Sequence, residues 1–239
     1  MTKPALPVAA VMPQDLVRAV SSLSFWFVIG GQAVRCLCPY RGSRESNFGV
    51  GNARDLETLL ATLQAKGETQ VLERAKDTAH VLWTNIPVSI FVLEPLLPFV
   101  EDQRLSVEGL LATKLHAILD RGARRDFFDL YVLMLTQRLG IADCPAAIRN
   151  VYQQFVSDGL LLRALCYFDD AEREPAIPGE GGTDWQTVRR FFETRVGHLL
   201  IPPNEELHIQ RQVVDVVTDF KAKGDLYVAI LGEKLDGHA

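Results

Sequence analysis

The sequence predicts an α+β fold in which a sheet-containing N-terminal part is followed by a helical C-terminal part. Two observations carry this prediction. Strand-like segments, recognised as continuous apolar runs or alternating side chains, end at Leu93. From Leu105 onwards the apolar residues recur with the spacing of helices. We therefore expect an α+β domain at residues 1–104 and a helical domain at residues 105–239.

The N-terminal part contains both kinds of element. Its first strand is a continuous apolar run, which is typical of a strand buried on both faces. Asn52 is a suitable N-cap for a helix that Gly67 ends, and the residues from Thr84 to Pro87 supply a turn. The predicted strands are Phe25–Ile29, Glu45–Val50, His80–Trp83 and Val88–Leu93, and the predicted helices are Gln14–Ser22, Gln32–Cys38 and Asn52–Lys66.

The C-terminal part is predicted to be helical, with Ser106 as the N-cap of its first helix. The segment Asp169–Thr183 is rich in proline, glycine and acidic residues and predicts a loop. Aromatic and basic residues alternate in Trp185–Phe192, which indicates either RNA contact or an amphipathic helix docked on the domain. The predicted helices end near Asp120, Gln137, Gln154, Cys166, Val196 and Phe220.

Composition limits the classes of function. The formal net charge of -5 and the pI of about 5.6 give no overall basic field for nucleic acid, so such contact needs a local arginine patch. No run approaches the ~20 apolar residues of a membrane span. The four cysteines and five histidines show no metal-binding spacing. We expect a cytoplasmic protein with buried, reduced cysteines.

A glycine pair indicates a phosphate site. Gly30 and Gly31 stand between the first predicted strand and the following helix, where a backbone can approach a phosphate closely. Glu45 and Asn47 lie two residues apart on the next strand, so their side chains share a face. Two carboxylates there would hold one or two Mg²⁺ ions against a nucleoside triphosphate, but the second residue is a neutral asparagine.

A lysine on the apolar face of a helix is a second candidate. Lys114 falls three and four residues from Leu110, Leu111 and Ile118, so it lies on the buried side. One interpretation is a lysine whose ammonium group reaches past the edge of the core. The other is a cation directed into a cleft, where an anionic ligand or a carboxylate satisfies it.

Two aspartates one helical turn apart follow this lysine. Asp126 and Asp129 share a helix face, and Asp126 lies in the first turn, where the helix dipole favours a carboxylate. Arg121 and Arg125 are near enough in sequence to pair with either one. Taken alone, this pattern indicates a helix cap with a surface ion-pair cluster, which contributes about 1 kcal/mol or less.

Taken together, these motifs resemble the AbiEii/AbiGii toxin nucleotidyltransferases, the toxin half of type IV toxin–antitoxin systems. The resemblance spans roughly Phe25 to Leu133, and it depends on the order and spacing of the motifs. The matching positions are Gly30-Gly31, Arg41-x-Ser43-x-Glu45-x-Asn47-Phe48, Lys114, Arg121 and Arg125-Asp126-x-x-Asp129-x-Tyr131.

The resemblance implies a polymerase-β-like nucleotidyltransferase fold, with a mixed sheet, flanking helices and a helical C-terminal part. It implies transfer of a nucleotidyl group from an NTP to an RNA (tRNA) or protein acceptor, with Mg²⁺ or Mn²⁺ as cofactor and an antitoxin as partner. The implied catalytic residues are Glu45, Lys114 and Asp126. The implied nucleotide-binding residues are Gly30, Gly31, Arg41, Ser43, Lys114 and Arg125. The implied metal ligands are Glu45 and Asn47.

The chain departs from the family pattern at its acidic residues. Asn47 replaces an aspartate, Glu45 is longer than the aspartate it replaces, and Ser89 takes the position expected for a third acid. Fewer anionic ligands lower the affinity for Mg²⁺. Two alternatives therefore stand beside an active enzyme: a catalytically dead nucleotide- or partner-binding module on the same fold, and an interaction domain without a ligand.

Overall fold

The computed structural model describes residues 5–43, 45–153, 156–177 and 184–200. The helix predicted near Glu205–Phe220 lies outside these residues. Within them, five strands form one mixed sheet in the order β1-β2-β5-β4-β3, in which β2 and β5 are parallel and the other neighbours antiparallel. The predicted α+β class is confirmed. The strands are β1 Trp26–Val28, β2 Ser46–Val50, β3 Thr69–Arg74, β4 Thr78–Trp83 and β5 Ile86–Val92.

The helices of the described residues follow the predicted order. Asn52 Oδ1 accepts a hydrogen bond from Asp55 N, and Ser106 Oγ accepts one from Gly109 N, so both predicted N-caps are confirmed. A small hairpin of β6 (Val100–Glu101) and β7 (Arg104–Leu105) precedes α4. The helices are α1 Gln14–Val20, α2 Gly30–Leu37, α3 Ala53–Lys66, α4 Val107–Asp120, α5 Arg124–Gln137, α6 Cys144–Tyr152, α7 Asp158–Leu165, α8 Asp169–Arg173 and α9 Trp185–Leu200.

The edge strand β3 has no counterpart in the sequence prediction. Among the residues that the structure describes, it pairs with β4 alone, and most of its side chains are exposed, including Val71 at 43% and Leu72 at 60%. A strand without a buried face does not need to alternate apolar and polar residues. The usual signal for a strand is therefore missing from this segment.

The turn between β4 and β5 is shorter than the four residues predicted. It consists of Thr84 and Asn85, whose φ angles of 44° and 66° are those of a tight two-residue hairpin. Pro87 belongs to β5 instead, where it is the register partner of Leu82 on β4 and precedes Val88, at which pairing with β2 begins. A proline is tolerated at the start of a strand, where its missing N–H costs little.

A short helix occupies the first part of the predicted loop at Asp169–Thr183, so that prediction is wrong for α8. With five residues, α8 makes little more than one turn, which is too short to show helical periodicity. Ala171 is fully buried and fixes this turn against the core. Residues 178–183 lie outside the described part of the chain.

One face of the sheet is apolar and covered by α3. Phe48, Ile90 and Ala79 stand side by side on β2, β5 and β4, and all three are buried. Trp83 Nε1 donates a hydrogen bond to Leu63 O of α3 at 2.8 Å, which fixes the helix on this face. The residues that alternate with these point to the opposite face.

The C-terminal helices pack on the other parts through aromatic and apolar contacts. In α9, Trp185, Val188 and Phe192 are buried, and the Trp185 ring meets the Phe127 ring of α5 edge-on at 5.9 Å. This contact favours docking over RNA binding for Trp185–Phe192. The buried residues before and after residue 104 form one cluster. The division into two domains stays a prediction.

The cysteines of the described residues are all free, and Cys36, Cys38 and Cys144 are buried. Among the helices that the described residues form, none is long and apolar enough to cross a lipid bilayer.

Replacement of Gly49 by alanine tests how tightly the sheet is packed. A Cβ atom at Gly49 would stand 2.4 Å from the ring of Phe27, which is 1% exposed. We expect Gly49→Ala to lower the free energy of unfolding by about 1–3 kcal/mol, because the buried ring must shift. Urea unfolding measures the difference. The control is Gly42→Ala, whose new Cβ meets nothing within 4 Å, and equal stability of the two variants would contradict the prediction.

Candidate functional site

A single cleft collects the residues that the sequence singles out. It has a volume of about 790 Å³ and lies on the open face of the sheet, beside α4 and α5. Ser89, the expected position of a third acid, also lines it. The structure therefore brings together two segments that are about seventy residues apart in the chain. The lining includes Gly30, Gly31, Arg41, Ser43, Glu45, Asn47, Lys114, Arg125 and Asp126.

The glycine pair forms the turn that starts α2. Gly30 has a φ of +61°, which favours glycine, and a Cβ on it would lie 3.0 Å from Asn47 Nδ2. A Cβ on Gly31 would lie 2.8 Å from Ser43 Oγ. The missing side chains therefore let the backbone of the turn approach Ser43 and Asn47 closely. The helix begins at Gly30, two residues before its predicted start.

A row of polar side chains crosses the open face of the sheet. Asn47 of β2 is paired in register with Ser89 of β5, and Ser89 is paired with His80 of β4. The Nδ1 atom of His80 lies 2.8 Å from Ser89 Oγ. His80 had no role in the sequence prediction, although it alternates with the buried Ala79 and Val81 and so had to face away from α3.

These donors do not fit a two-metal site. Among the described residues, no group of three or more histidine, cysteine or acidic side chains is arranged to hold a metal ion. Glu45 is exposed and is the acid at the predicted metal position, while Asn47 and Ser89 offer neutral oxygens. Hard divalent cations that bridge phosphates need carboxylate ligands to offset their charge. We therefore assign no step of a reaction to a metal ion.

A buried ionic cluster between α4 and α5 forms one wall of the cleft. Lys114 Nζ of α4 lies 2.6 Å from Asp129 Oδ2 and 3.3 Å from Asp126 Oδ1 of α5. Both aspartates are fully buried, and the lysine side chain is 6% exposed. The prediction of a surface ion-pair cluster is therefore wrong. The predicted common face of Asp126 and Asp129 is confirmed, since one ammonium group binds both.

Two arginines complete this cluster. Arg41 binds Asp129 through both oxygens, with Nη2 at 2.8 Å from Oδ2 and Nε at 2.9 Å from Oδ1. Arg121 binds Asp126 in the same two-point manner, at 2.8 and 3.2 Å. Tyr40 Oη donates a further hydrogen bond to Asp129 Oδ1 at 2.5 Å. Three cations thus surround two carboxylates, and the surplus positive charge borders the cleft.

The cluster also sets the ionisation of Asp129. Burial would raise the pKa of its carboxyl group. The positive charges of Lys114 and Arg41 and their hydrogen bonds outweigh burial, so the pKa lies below its ordinary value of 3.8. Burial raises the pKa of the neighbouring Tyr40, and the charge of Asp129 raises it further, so this phenol stays protonated and donates.

The cations that line the cleft differ in whether an acidic side chain already binds them. Lys114 lines the cleft, but its ammonium group is bound by two aspartates, so a direct phosphate contact by Lys114 stays a prediction. Arg125 is exposed in the first turn of α5, and no ion pair of its guanidinium group is found within the described part of the chain. Arg125 is therefore the lining cation best able to meet an anionic ligand.

An apolar wall closes the cleft on the side that the sequence did not predict. It is formed by the segment after α8 together with Leu72 of the edge strand β3 and Phe91 of β5. Glu174 Oε2 accepts a hydrogen bond from Arg124 N at 3.0 Å, which fixes this segment to the start of α5. No pattern in the sequence places this segment at the cleft, because it is brought there only when the chain folds. Its residues are Glu174, Pro175, Ala176 and Ile177.

The mixed sheet, the glycine turn at the start of α2 and the lysine–aspartate wall together form the arrangement that the resemblance to nucleotidyltransferases implies. Residues 83–198 match the family model described as "Nucleotidyl transferase AbiEii toxin, Type IV TA system". This match confirms the resemblance for the part of the chain that holds Ser89, Lys114, Arg125 and Asp126. The glycine turn and Glu45 lie before the matched residues.

Two further proteins are similar to this chain. The uncharacterized protein aq_aa25 of Aquifex aeolicus (strain VF5) is 25% identical over 184 residues, which cover 73% of this chain and 88% of that protein. The crystal structure of a candidate nucleotidyltransferase from H. pylori aligns with a TM-score of 0.42 and 14% identity, over 76% of this chain and 93% of its own.

Removal of the buried cation tests the energetic role of the cluster. We expect Lys114→Met to lower the free energy of unfolding by about 1.5–3 kcal/mol, because the two buried carboxylates lose their shared ammonium group and keep only their arginines. Chemical denaturation measures this change. Lys66→Met at the exposed end of α3 is the matched control, since it removes the same charge from solvent. A Lys114→Met variant as stable as this control would refute the assigned role.

The low pKa of Asp129 predicts a pH dependence of stability. A carboxyl whose native pKa lies below 3.8 stabilises the fold above that value, and the stabilisation is lost as the pH falls through the native pKa. We expect Asp129→Asn to be less stable than the wild type at neutral pH and to lose less stability on acidification. Unfolding at a series of pH values tests this, with Asp158→Asn on the exposed start of α7 as control. Parallel pH profiles for wild type and Asp129→Asn would contradict it.

Proposed function

We propose that the cleft binds the triphosphate of an NTP and that the chain is a nucleotidyltransferase of the AbiEii toxin type. One observation carries the proposal: phosphate-binding groups from two distant segments, residues 30–47 and 114–126, line the same cleft. Neither segment alone indicates more than a glycine turn or an ion pair. Their convergence supports a site for an anionic ligand with several charged oxygens.

In this proposal the glycine turn supplies backbone N–H groups at the start of α2, where the helix dipole favours phosphate. Ser43 Oγ lies 3.0 Å from Glu45 O and 3.3 Å from Gln32 Oε1, which holds its hydroxyl beside the turn. Arg125 supplies a guanidinium group that forms no ion pair within the described part of the chain. Arg41 and the Lys114 cluster supply positive charge at the wall. Transfer of a nucleotidyl group depends chiefly on this positioning and on neutralising the phosphate charge.

The acceptor of the nucleotidyl group is proposed to be an RNA, such as a tRNA, or a protein. A cognate antitoxin as partner and the cytoplasm as location are part of the same proposal. The matched family is described as a toxin of a type IV system, which supports an antitoxin as partner. No contact of the described residues identifies the acceptor.

A second candidate function is nucleotide binding without turnover. It is favoured by Asn47 and Ser89, which stand side by side where the family resemblance expects carboxylates. With Glu45 as the lone acid of that group, less cationic charge can be held there to offset the negative charge that develops on the phosphates during transfer. A cleft can lose its chemistry in this way and keep its affinity for the nucleotide.

Truncation of Arg125 tests the proposed binding mode. We expect Arg125→Ala to weaken NTP binding roughly tenfold, the effect of one lost charge-assisted phosphate contact. Titration calorimetry and the shift of the melting temperature by each NTP measure this. Arg163→Ala at the exposed end of α7 removes the same charge outside the cleft and should bind as the wild type does.

Incubation with labelled NTPs and total RNA separates the two candidates. Label transferred to RNA or protein by the wild type, and reduced in Arg125→Ala, supports the transferase. Binding without any label transfer supports the non-catalytic alternative. If none of the four NTPs binds, or if Arg125→Ala and Arg163→Ala bind alike, the proposed site is wrong.

A further inference from the structure

The floor of the cleft is neutral at the points where metal-binding carboxylates are expected. Asn47 and Ser89 are register partners on the parallel strands β2 and β5, and both line the cleft. His80 stands next in the same row on β4, with Nδ1 at 2.8 Å from Ser89 Oγ. The row therefore holds no acid from β2 to β4. The register partner of His80 on the edge strand β3 is Glu73, which is not among the residues that line the cleft.

The chemistry of this row differs from that of a carboxylate floor. Carboxylates accept hydrogen bonds but donate none when ionised, so they repel phosphate oxygens unless a metal ion stands between them. The asparagine amide can donate N–H groups to a phosphate oxygen, and the Ser89–His80 pair, which uses one hydrogen for its own hydrogen bond, keeps one O–H or N–H that can be donated as well. The row can therefore contact a triphosphate directly, which a pair of aspartates cannot do.

The formal charges of the described residues around the floor cancel, with four cations against four acids, but they are placed unevenly. Arg41, Lys114 and Arg121 outnumber Asp126 and Asp129 by one in the buried cluster, and Arg125 adds a further exposed cation. Two exposed acids also line the cleft, Glu45 near the glycine turn and Glu174 on the opposite wall. Neither belongs to the row. A free triphosphate, which is more negative than its magnesium complex, thus meets side-chain donors on the floor and cations along the wall.

We propose that the cleft binds its nucleoside triphosphate as the free anion, without a divalent cation, and that Asn47, Ser89 and His80 form the floor that makes this possible. The inference rests on the proposed function, because it presumes that an NTP is the ligand. It concerns the species that is bound and is separate from whether the nucleotidyl group is transferred.

The test is the affinity for each of the four NTPs, measured by titration calorimetry with the full chain in excess EDTA and again in excess Mg²⁺. We expect dissociation constants that agree within about threefold between the two conditions, or tighter binding in EDTA. Binding in Mg²⁺ that weakens by more than about tenfold in EDTA overturns the inference and leaves the proposed function standing. Absence of binding in both conditions overturns the proposed function as well.

Restoring the acids provides the reciprocal test. The double variant Asn47→Asp and Ser89→Asp should lose at least about tenfold in NTP affinity in EDTA, and Mg²⁺ should restore it. The single variant Asn47→Asp, which hardly changes side-chain size, should show a smaller effect of the same sign. The control is Gln64→Glu with Gln186→Glu, which adds two negative charges at exposed positions of α3 and α9 outside the cleft. Equal affinities of the double variant and this control in EDTA overturn the inference.

Discussion

The carboxylate of Asp129 joins parts of the chain that are far apart in sequence. It accepts hydrogen bonds from Tyr40 and Arg41, 89 and 88 residues earlier, and from Lys114 on the neighbouring helix. A buried charge of this kind is tolerated only when its partners are in place. The loop that carries Ser43 and Glu45 is therefore held against α5 by the same bonds that keep Asp129 ionised. The shape of the cleft depends on this cluster.

The fold could be predicted where burial leaves a pattern in the sequence. Strands with an apolar face, such as β1, β4 and β5, and helices with a capping side chain, such as α3 and α4, were found within a few residues of their ends. The edge strand β3 and the one-turn helix α8 were not, because neither has a buried face long enough to create periodicity. The register of the strands also could not be predicted from the sequence, since it depends on which strands become neighbours.

The candidate site could be predicted in its parts and less well in its connections. The spacing of Asp126 and Asp129 and the position of Lys114 on an apolar face predicted a shared location, and they meet. Tyr40 carried no local signal, because its partner Asp129 comes from a distant segment. The alternation of His80 with its buried neighbours indicated its face of the sheet, but its hydrogen-bond partner on β5 depends on strand register. The segment after α8 was likewise hidden, since its contact with the start of α5 arises only in the folded chain.

Two different constraints act on the residues of such a cleft: the stability of the fold and the function of the site. Loss of one member of the Lys114, Asp126 and Asp129 group removes charged hydrogen bonds from the core, so folding by itself favours keeping these residues. Replacement of the exposed Glu45 or of the floor residues carries no such cost to folding, so only ligand binding or chemistry constrains them. A sequence pattern that depends on the buried group therefore indicates the fold. It can persist in a chain whose active site no longer reacts.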